Sequence, residues 1–325
     1  MDFQTKILLA SFAVTVILGL IIVPILRKFK IGQIERTDGP QSHLKKQGTP
    51  TMGGIIIMLG IIIVTVIAYM YYKNKDAELA KHLIPILCLT TGFGIIGLID
   101  DFKKLFLKNT EGLKPSLKML GLFIISVIFV SYLVWGLKLG TETYIPFVDT
   151  YVTIPIVLYI PFAIIVILAT TNAINLTDGI DGLSSSVSTI IITCLTVIAT
   201  MFDAKEIIVF GAIVIGATLG FLMFNIYPAK AFMGDTGSLF LGGVVSGIAL
   251  YLKMPVLLLL IAIIPVIETI SVMIQVIVYK KTGKRVFKMA PIHHHFELSG
   301  WRENQVVMMF SVITLFACIL GLKVI

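Results

Sequence analysis

Gly97-Leu98-Ile99-Asp100-Asp101-Phe102-Lys103-Lys104 places two adjacent carboxylates and two ammonium groups at the end of an apolar run that begins at Leu83. Carboxylates are hard oxygen ligands for a divalent cation, and lysines can hold phosphate. The combination suits metal-assisted chemistry on phosphate groups. A single Asp costs about 2.5–3.5 kcal/mol at mid-membrane and less near the interface, so acids beside a membrane-length run call for an explanation. The plainer alternative is a helix that ends in water, with solvated charges.

Three further stretches carry chemistry of the same kind. Asn172, Asn175, Asp178 and Asp181 recur every third residue, a spacing that stacks side chains on one helix face. Gly179 and Gly182 argue instead for a helix end opening into a loop. There the amides and acids can bond a uracil, a ribose or a metal-bound water; a capped turn is the alternative. In Phe232-Met-Gly-Asp-Thr-Gly-Ser238 the glycines let backbone approach a phosphate and Asp235 offers an oxygen to Mg²⁺, unless Asp235 is simply a helix N-cap. His293, His294 and His295 are consecutive and point in different directions. That disfavours a three-histidine zinc cage and leaves phosphate contact or acid/base work.

Two smaller features complete the set. Lys45 and Lys46 precede Thr49-Pro-Thr-Met-Gly-Gly54, and lysine, threonine and glycine at a helix N-terminus suit an anion. Positive charge at a cytoplasmic loop, beside a capped helix, is the better account of Lys45. Glu268 lies inside an apolar run and is expected to face the bundle interior, without a role that the sequence assigns.

The elements that must position these residues are membrane helices. Of 325 residues, 57% are hydrophobic and only 14% charged, against roughly 25% charged in ordinary globular chains, and this excludes a soluble fold. With about 20 apolar residues needed per crossing, ten spans are predicted: 5–26, 52–72, 83–99, 117–137, 153–172, 183–201, 207–224, 238–252, 255–278 and 305–324. The run from Ile7 to Leu26 is too long for a signal-peptide core and is predicted to stay as the first span. The chain reads as one all-α polytopic transmembrane domain over 1–325, without repeats or a soluble domain. Most of its 26 lysines and arginines fall in the odd-numbered loops, which places those loops in the cytoplasm and both termini outside. Every acidic, amide and histidine motif lies in an odd loop, so one site at the cytoplasmic face is expected. The fourth loop alternates polar and apolar residues around Asp149 and predicts a small outer β-hairpin. The net charge of +8 fits anionic lipid and phosphate-bearing substrates rather than nucleic acid. Cys88, Cys194 and Cys318 lie in apolar runs and read as small buried side chains.

Taken together, Asp100-Asp101-x-x-Lys104, the Asn172–Gly182 stretch, Phe232–Ser238 and Pro291-Ile-His-His-His-Phe-Glu297 resemble the polyprenyl-phosphate N-acetylhexosamine-1-phosphate transferase superfamily. The histidine motif and Thr49–Gly54 narrow the resemblance to its phospho-N-acetylmuramoyl-pentapeptide transferase family. It covers essentially the whole chain, with no departure at any motif position. The resemblance implies a Mg²⁺-dependent membrane enzyme of peptidoglycan synthesis that moves phospho-MurNAc-pentapeptide from its UDP carrier to undecaprenyl phosphate, giving lipid I and UMP. It implies Asp235 as metal ligand with Asp100 and Asp101 close by, Asp100 as activator of the lipid phosphate, and His293 in the same cleft. Lys46 and Lys104 would bind phosphate. Thr51, Asn172, Gly234, Ser238, His294 and His295 would line the substrate site, and Asn175, Asp178, Asp181, Asn225 and Phe232 would surround the nucleotide-sugar. A homodimer and inhibition by nucleoside antibiotics are also implied.

Two other readings compete. A sister enzyme that transfers GlcNAc-1-phosphate to the same lipid would share the acids and the metal, and the histidine motif argues against it. A secondary transporter would carry its polar residues near the midplane, in broken helices of repeated halves. Here they gather at one face.

Overall fold

The computed structural model describes residues 3–28, 48–107 and 112–325; Lys46 lies outside them. Twelve α-helices and one two-stranded sheet make up the described chain. Among the described residues, nine helices are long and apolar enough to cross a membrane. In chain order the elements are α1 (Phe3–Lys28), α2 (Gly54–Tyr72), α3 (Ala77–Leu107) and α4 (Pro115–Ser131), the last running into a π-helical turn at Tyr132–Gly136. Strands β1 (Glu142–Ile145) and β2 (Thr150–Thr153) follow, then α5 (Ile156–Thr177), α6 (Leu183–Met201), α7 (Lys205–Asn225) and α8 (Gly234–Tyr251). The chain closes with α9 (Leu258–Ile261), α10 (Ile263–Thr282), the short α11 (Ile292–Glu297) and α12 (Glu303–Lys323).

Helix α8, at the expected eighth span but outside the nine helices that are long and apolar enough to cross a membrane, is the axis of the bundle. Every residue from Thr236 to Tyr251 is buried, and α2, α3, α5 and α6 pack around it. Its glycines permit this. Gly237 faces Gly54 of α2, Gly242 faces Thr171 of α5, and Gly243 and Gly247 face Phe93 and Leu89 of α3. In an apolar solvent, helices associate through such close small-residue contacts rather than through hydrophobic burial. At 18 residues α8 is about 27 Å long, close to the roughly 30 Å hydrocarbon thickness.

Two further elements and one side chain differ from the sequence expectation. The third span is not cut at Ile99: α3 continues to Leu107, so Asp100 and Asp101 sit on helix rather than in a loop. The Asp100–Lys104 ion pair, at i,i+4 spacing, supports that last stretch. The ninth span is broken at Ala262 into α9 and α10. Pro265 has no N–H to give to the Ile261 carbonyl, which removes one ladder bond at the break. Cys88 is exposed rather than buried; a lipid-facing position is as apolar as the core.

The predicted hairpin is present. Tyr144 pairs with Tyr151 and Thr143 with Val152 in an antiparallel ladder. It is fastened to the end of the bundle remote from Asp100. The Tyr144 N–H donates to the Lys253 carbonyl at 2.8 Å, the Tyr144 hydroxyl donates to the Val324 carbonyl at 2.9 Å, and Lys253 pairs with Glu142 at 2.7 Å.

Candidate active site

The last turns of α3 and the first turn of α8 meet. Gly97 makes this possible, because any side chain there would strike the Asp235 carbonyl. Asp100, Asp101 and Asp235 converge so that one carboxylate oxygen from each lies within 4.8 Å of the others. Two ammonium groups balance them. Lys104 Nζ lies 2.6 Å from Asp100 Oδ2 and 2.7 Å from Asp235 Oδ2, and Lys118 Nζ lies 3.0 Å from the same Asp235 oxygen. The other Asp235 oxygen accepts a 2.7 Å bond from the Asn175 amide, which also donates to the Ser238 hydroxyl at 2.8 Å. Ser238 in turn donates to the Gly234 carbonyl. Above Asp100, the chain at Gly112 passes close by and the Leu113 N–H donates to Asp100 Oδ1 at 2.7 Å.

Asp101 faces a different way. Its oxygens accept the backbone N–H groups of Asp235 at 3.1 Å and Thr236 at 2.9 Å, together with the Thr236 hydroxyl at 2.6 Å. It therefore caps α8 from a neighbouring helix and satisfies donors that every helix N-terminus leaves over. Asp235, for which N-cap was the plainer alternative, lies within the first turn instead.

The glycine motifs are docked on each other. Phe232 N–H donates to the Pro50 carbonyl, and Gly53 and Gly54 N–H donate to the carbonyls of Phe232 and Met233. Thr51 lies over Gly234, whose φ of +71° is left-handed and whose position admits no side chain: a Cβ would lie 2.7 Å from Asp101 and 3.1 Å from the Thr51 hydroxyl.

The Asn172–Gly182 stretch is a helix end opening into a turn, as expected. Helix α5 ends at Thr177, Asp178 follows it, and Gly182, at φ +78°, precedes α6. Asp178 faces Asp235 and Asp101. Burial, and then those two negative charges, push its carboxyl well above the usual carboxylate range, against the pull of a hydrogen bond from the Gly234 backbone. Gly179 carries the His293 imidazole directly against it. The histidine motif thus reaches the wall of the acid cluster.

Other predicted residues are engaged in the scaffold. Asp181 is buried, accepts the Ala229 N–H at 2.9 Å, and donates its own N–H to Glu303 at 2.6 Å. Asn225 is also buried, accepts from the Ser185 hydroxyl at 2.5 Å and donates to the Ala231 carbonyl at 3.0 Å. Asn172 donates within α5 to the Leu168 carbonyl. His294 pairs with Glu297 at 2.8 Å, and His295 Nδ1 accepts the Lys288 N–H at 3.1 Å.

Sequence reasoning missed Thr236 and Lys118, the latter undistinguished among the lysines and arginines of the odd-numbered loops. The available signal for Lys118 was its place in the first turn after Pro115, where a lysine enters an apolar span on the side that holds the acids. Glu268, left without a role, meets His293 at 3.0 Å in the buried interior.

The donor set fits a hard divalent cation: carboxylate oxygens from two helices at one point, without soft ligands.

A family model described as Glycosyl transferase family 4 matches residues 83–253, and a signature described as Phospho-N-acetylmuramoyl-pentapeptide-transferase signature 1 matches residues 46–58. Among curated relatives, the phospho-N-acetylmuramoyl-pentapeptide-transferase of Acetivibrio thermocellus is 48% identical over 97% of this chain and 93% of its own length. The enzyme of that name from Clostridium botulinum is 47% identical over 97% of this chain and 94% of its own. That of Caldicellulosiruptor bescii is 42% identical over 98% and 96%. With matches of this depth along nearly the whole chain, and with the signature falling on the segment that docks beside Asp235, the chain belongs to the phospho-N-acetylmuramoyl-pentapeptide transferase family of membrane enzymes.

Proposed function

We propose that this chain is one catalytic domain that transfers phospho-MurNAc-pentapeptide from UDP-MurNAc-pentapeptide to undecaprenyl phosphate, giving lipid I and UMP with Mg²⁺ as cofactor. The observation that carries this reading is the convergence of Asp100 and Asp235 on Lys104, with Lys118 beside them. Both substrates are anionic and their phosphates must meet, so charge repulsion is the chief obstacle. Positioning and electrostatic stabilisation supply most of the catalysis in phosphoryl transfer.

Asp235 and Asp100 would hold the cation, with Asp101 fixing the turn that carries Asp235. When bound, Mg²⁺ supplies charge neutralisation at the phosphates and holds them in place. Lys104 and Lys118, ion-paired to acids that would serve the cation, are then placed to contact phosphate oxygens, and Lys46 is proposed to bind phosphate as well. Asp100 is the candidate group for keeping the lipid phosphate deprotonated. An oxygen of that phosphate attacks the phosphorus bonded to the sugar, and UMP departs with the electron pair of the broken P–O bond. Direct attack is favoured over an aspartyl-phosphate route, because a carboxylate engaged with a cation is a poor nucleophile. Asn175, Asp178 and Ser238, which surround Asp235, are proposed to contact the nucleotide-sugar. The lysine bias supports a cytoplasmic position for this end of the bundle. The working unit is proposed to be a homodimer, and nucleoside antibiotics are expected to compete at the nucleotide side.

The test is UMP release by purified protein in detergent, with Mg²⁺ and undecaprenyl phosphate, given UDP-MurNAc-pentapeptide or UDP-GlcNAc in parallel. Release from the first alone, lost on chelation, is the expected result. Release from UDP-GlcNAc alone would make it the sister transferase, and silence with both would overturn the proposal.

A further inference from the structure

Helix α10 carries two polar side chains at i,i+7 spacing that hold the histidine segment. Gln275 Oε1 accepts the backbone N–H groups of Val286 and Phe287, both at 3.0 Å, and its Nε2 donates to the Phe287 carbonyl at 3.1 Å. Two turns earlier, Glu268 Oε1 lies 3.0 Å from His293 Nδ1, and both side chains are fully buried. Among the described residues, the second oxygen of Glu268 and the second nitrogen of His293 have no hydrogen-bond partner.

A purely structural reading of this pair is poor. Burying two ionisable groups is costly, and a well-packed apolar pair in their place is as stable or more so. A carboxylate bonded to one nitrogen of an imidazole does something else well: it fixes the ring's orientation and tautomer, so that the other nitrogen is presented in one direction. Here that direction is set. The Nε2 edge of His293 rests on Gly179, at a position where any side chain would collide with the ring, and Gly179 follows Asp178, which faces Asp235 and Asp101.

We infer that Glu268 is a positioning residue for the transfer reaction, acting through His293 to hold the imidazole against the Asp178–Gly182 turn. The inference rests on the function proposed above. Glu268 touches no substrate; its effect passes through one ring.

The test is a double-mutant cycle. Turnover and KM for UDP-MurNAc-pentapeptide are measured for Glu268→Leu, Glu268→Gln, His293→Ala and the Glu268→Leu/His293→Ala double variant. Glu268→Leu is expected to lose about 10- to 100-fold in kcat, with KM little changed, a range that substitutions of histidine-orienting groups span. Glu268→Gln, which keeps a hydrogen-bonding atom at the same place, restores most of the loss. The double variant falls no further than His293→Ala alone, because the two residues act as a unit. Losses that multiply, or Glu268→Leu turning over like the parent, overturn the inference. Should Glu268→Leu fail to fold, the same cycle with Glu268→Met, which is close to glutamate in length and also lacks the hydrogen-bonding oxygen, decides whether its loss is additive with that of His293→Ala. A second readout stands apart from activity. In ¹⁵N-histidine-labelled protein the His293 signal, assigned by its disappearance in His293→Ala, shifts in Glu268→Gln. An unmoved signal overturns the inference, whereas a parent that releases no UMP overturns the proposed function and leaves this readout intact.

Discussion

Asp101 on α3 and Thr236 on α8 are joined twice: the Asp101 carboxylate accepts the Thr236 backbone N–H at 2.9 Å and its hydroxyl at 2.6 Å. Asp100, one residue earlier, faces Lys104 and Asp235. The two neighbouring acids therefore divide their contacts, one fixing the helix that carries Asp235 and the other joined to Lys104, where the proposed reaction would bring the phosphates. Asp101→Ala is expected to lower stability as well as turnover, because each buried donor left without a partner costs about 1–3 kcal/mol. Asp100→Asn is expected to remove turnover and leave the melting temperature in detergent unchanged or raised. Paired melting curves check this, and an Asp101→Ala protein that melts like the parent would sink the division.

Lys118 gives a second prediction. It pairs with Asp235 at 3.0 Å and its side chain is only 17% exposed, so its charge is held at the site and poorly screened. Lys118→Ala is expected to reduce kcat/KM for UMP release by about 10²-fold, the order found when one preorganised electrostatic group is removed. Lys114, at the exposed start of the same helix, serves as the control, and equal small effects at both positions would exclude Lys118 from the site.

How far the sequence disclosed this arrangement depends on the kind of contact. Hydropathy alone locates the membrane helices, since bilayer thickness imposes their length. Asp100, Asp101, Lys104 and Asp235 stand out because charge is costly beside apolar runs. Capping of α8 by Asp101 is invisible in sequence, because it joins positions 101 and 235–236 through the crossing of two helices. The same holds for Glu268: its burial was legible, but its partner came from a segment 25 residues away. Lys118 was masked by the general rule that lysines gather at cytoplasmic helix ends. Asn225 and Asp181 show the reverse case. Amides and acids in a loop beside the site suggest ligand contact, and here their hydrogen bonds are made to the loop that leads into α8.

The docking of α2 on α8 gives a third prediction. A Cβ on Gly54 would press into the backbone of Gly237, and backbone cannot give way as a flexible side chain can. Gly54→Ala is therefore expected to destabilise the protein by about 1–3 kcal/mol, the usual cost of overpacking a tight contact. It would also displace the turn bearing Asp235 and reduce turnover. Thermal melting in detergent with the metal chelated reads the first effect apart from the second, and a Gly54→Ala protein as stable as the parent would refute the close approach.

The raised carboxyl of Asp178 makes the metal-free protein's stability depend on pH. Its ordinary value in an unfolded chain is about 3.9, and burial together with the Asp235 and Asp101 charges lifts it well above that in the folded state. The folded protein thus holds this proton more tightly than the unfolded chain does. Its contribution to stability is fully present below about pH 3.9 and is lost as pH rises through the folded-state value. Asp178→Asn keeps the shape of the side chain and removes its charge, so the variant escapes that loss. With the metal chelated, the melting temperature of Asp178→Asn relative to the parent is expected to be higher at pH 8 than at pH 5. Added Mg²⁺ should shrink the gap at pH 8 by neutralising the neighbouring acids. A difference between variant and parent that is the same at both pH values would show that Asp178 does not sense the Asp101–Asp235 cluster, and would separate the Asn172–Gly182 turn electrostatically from the site beside it.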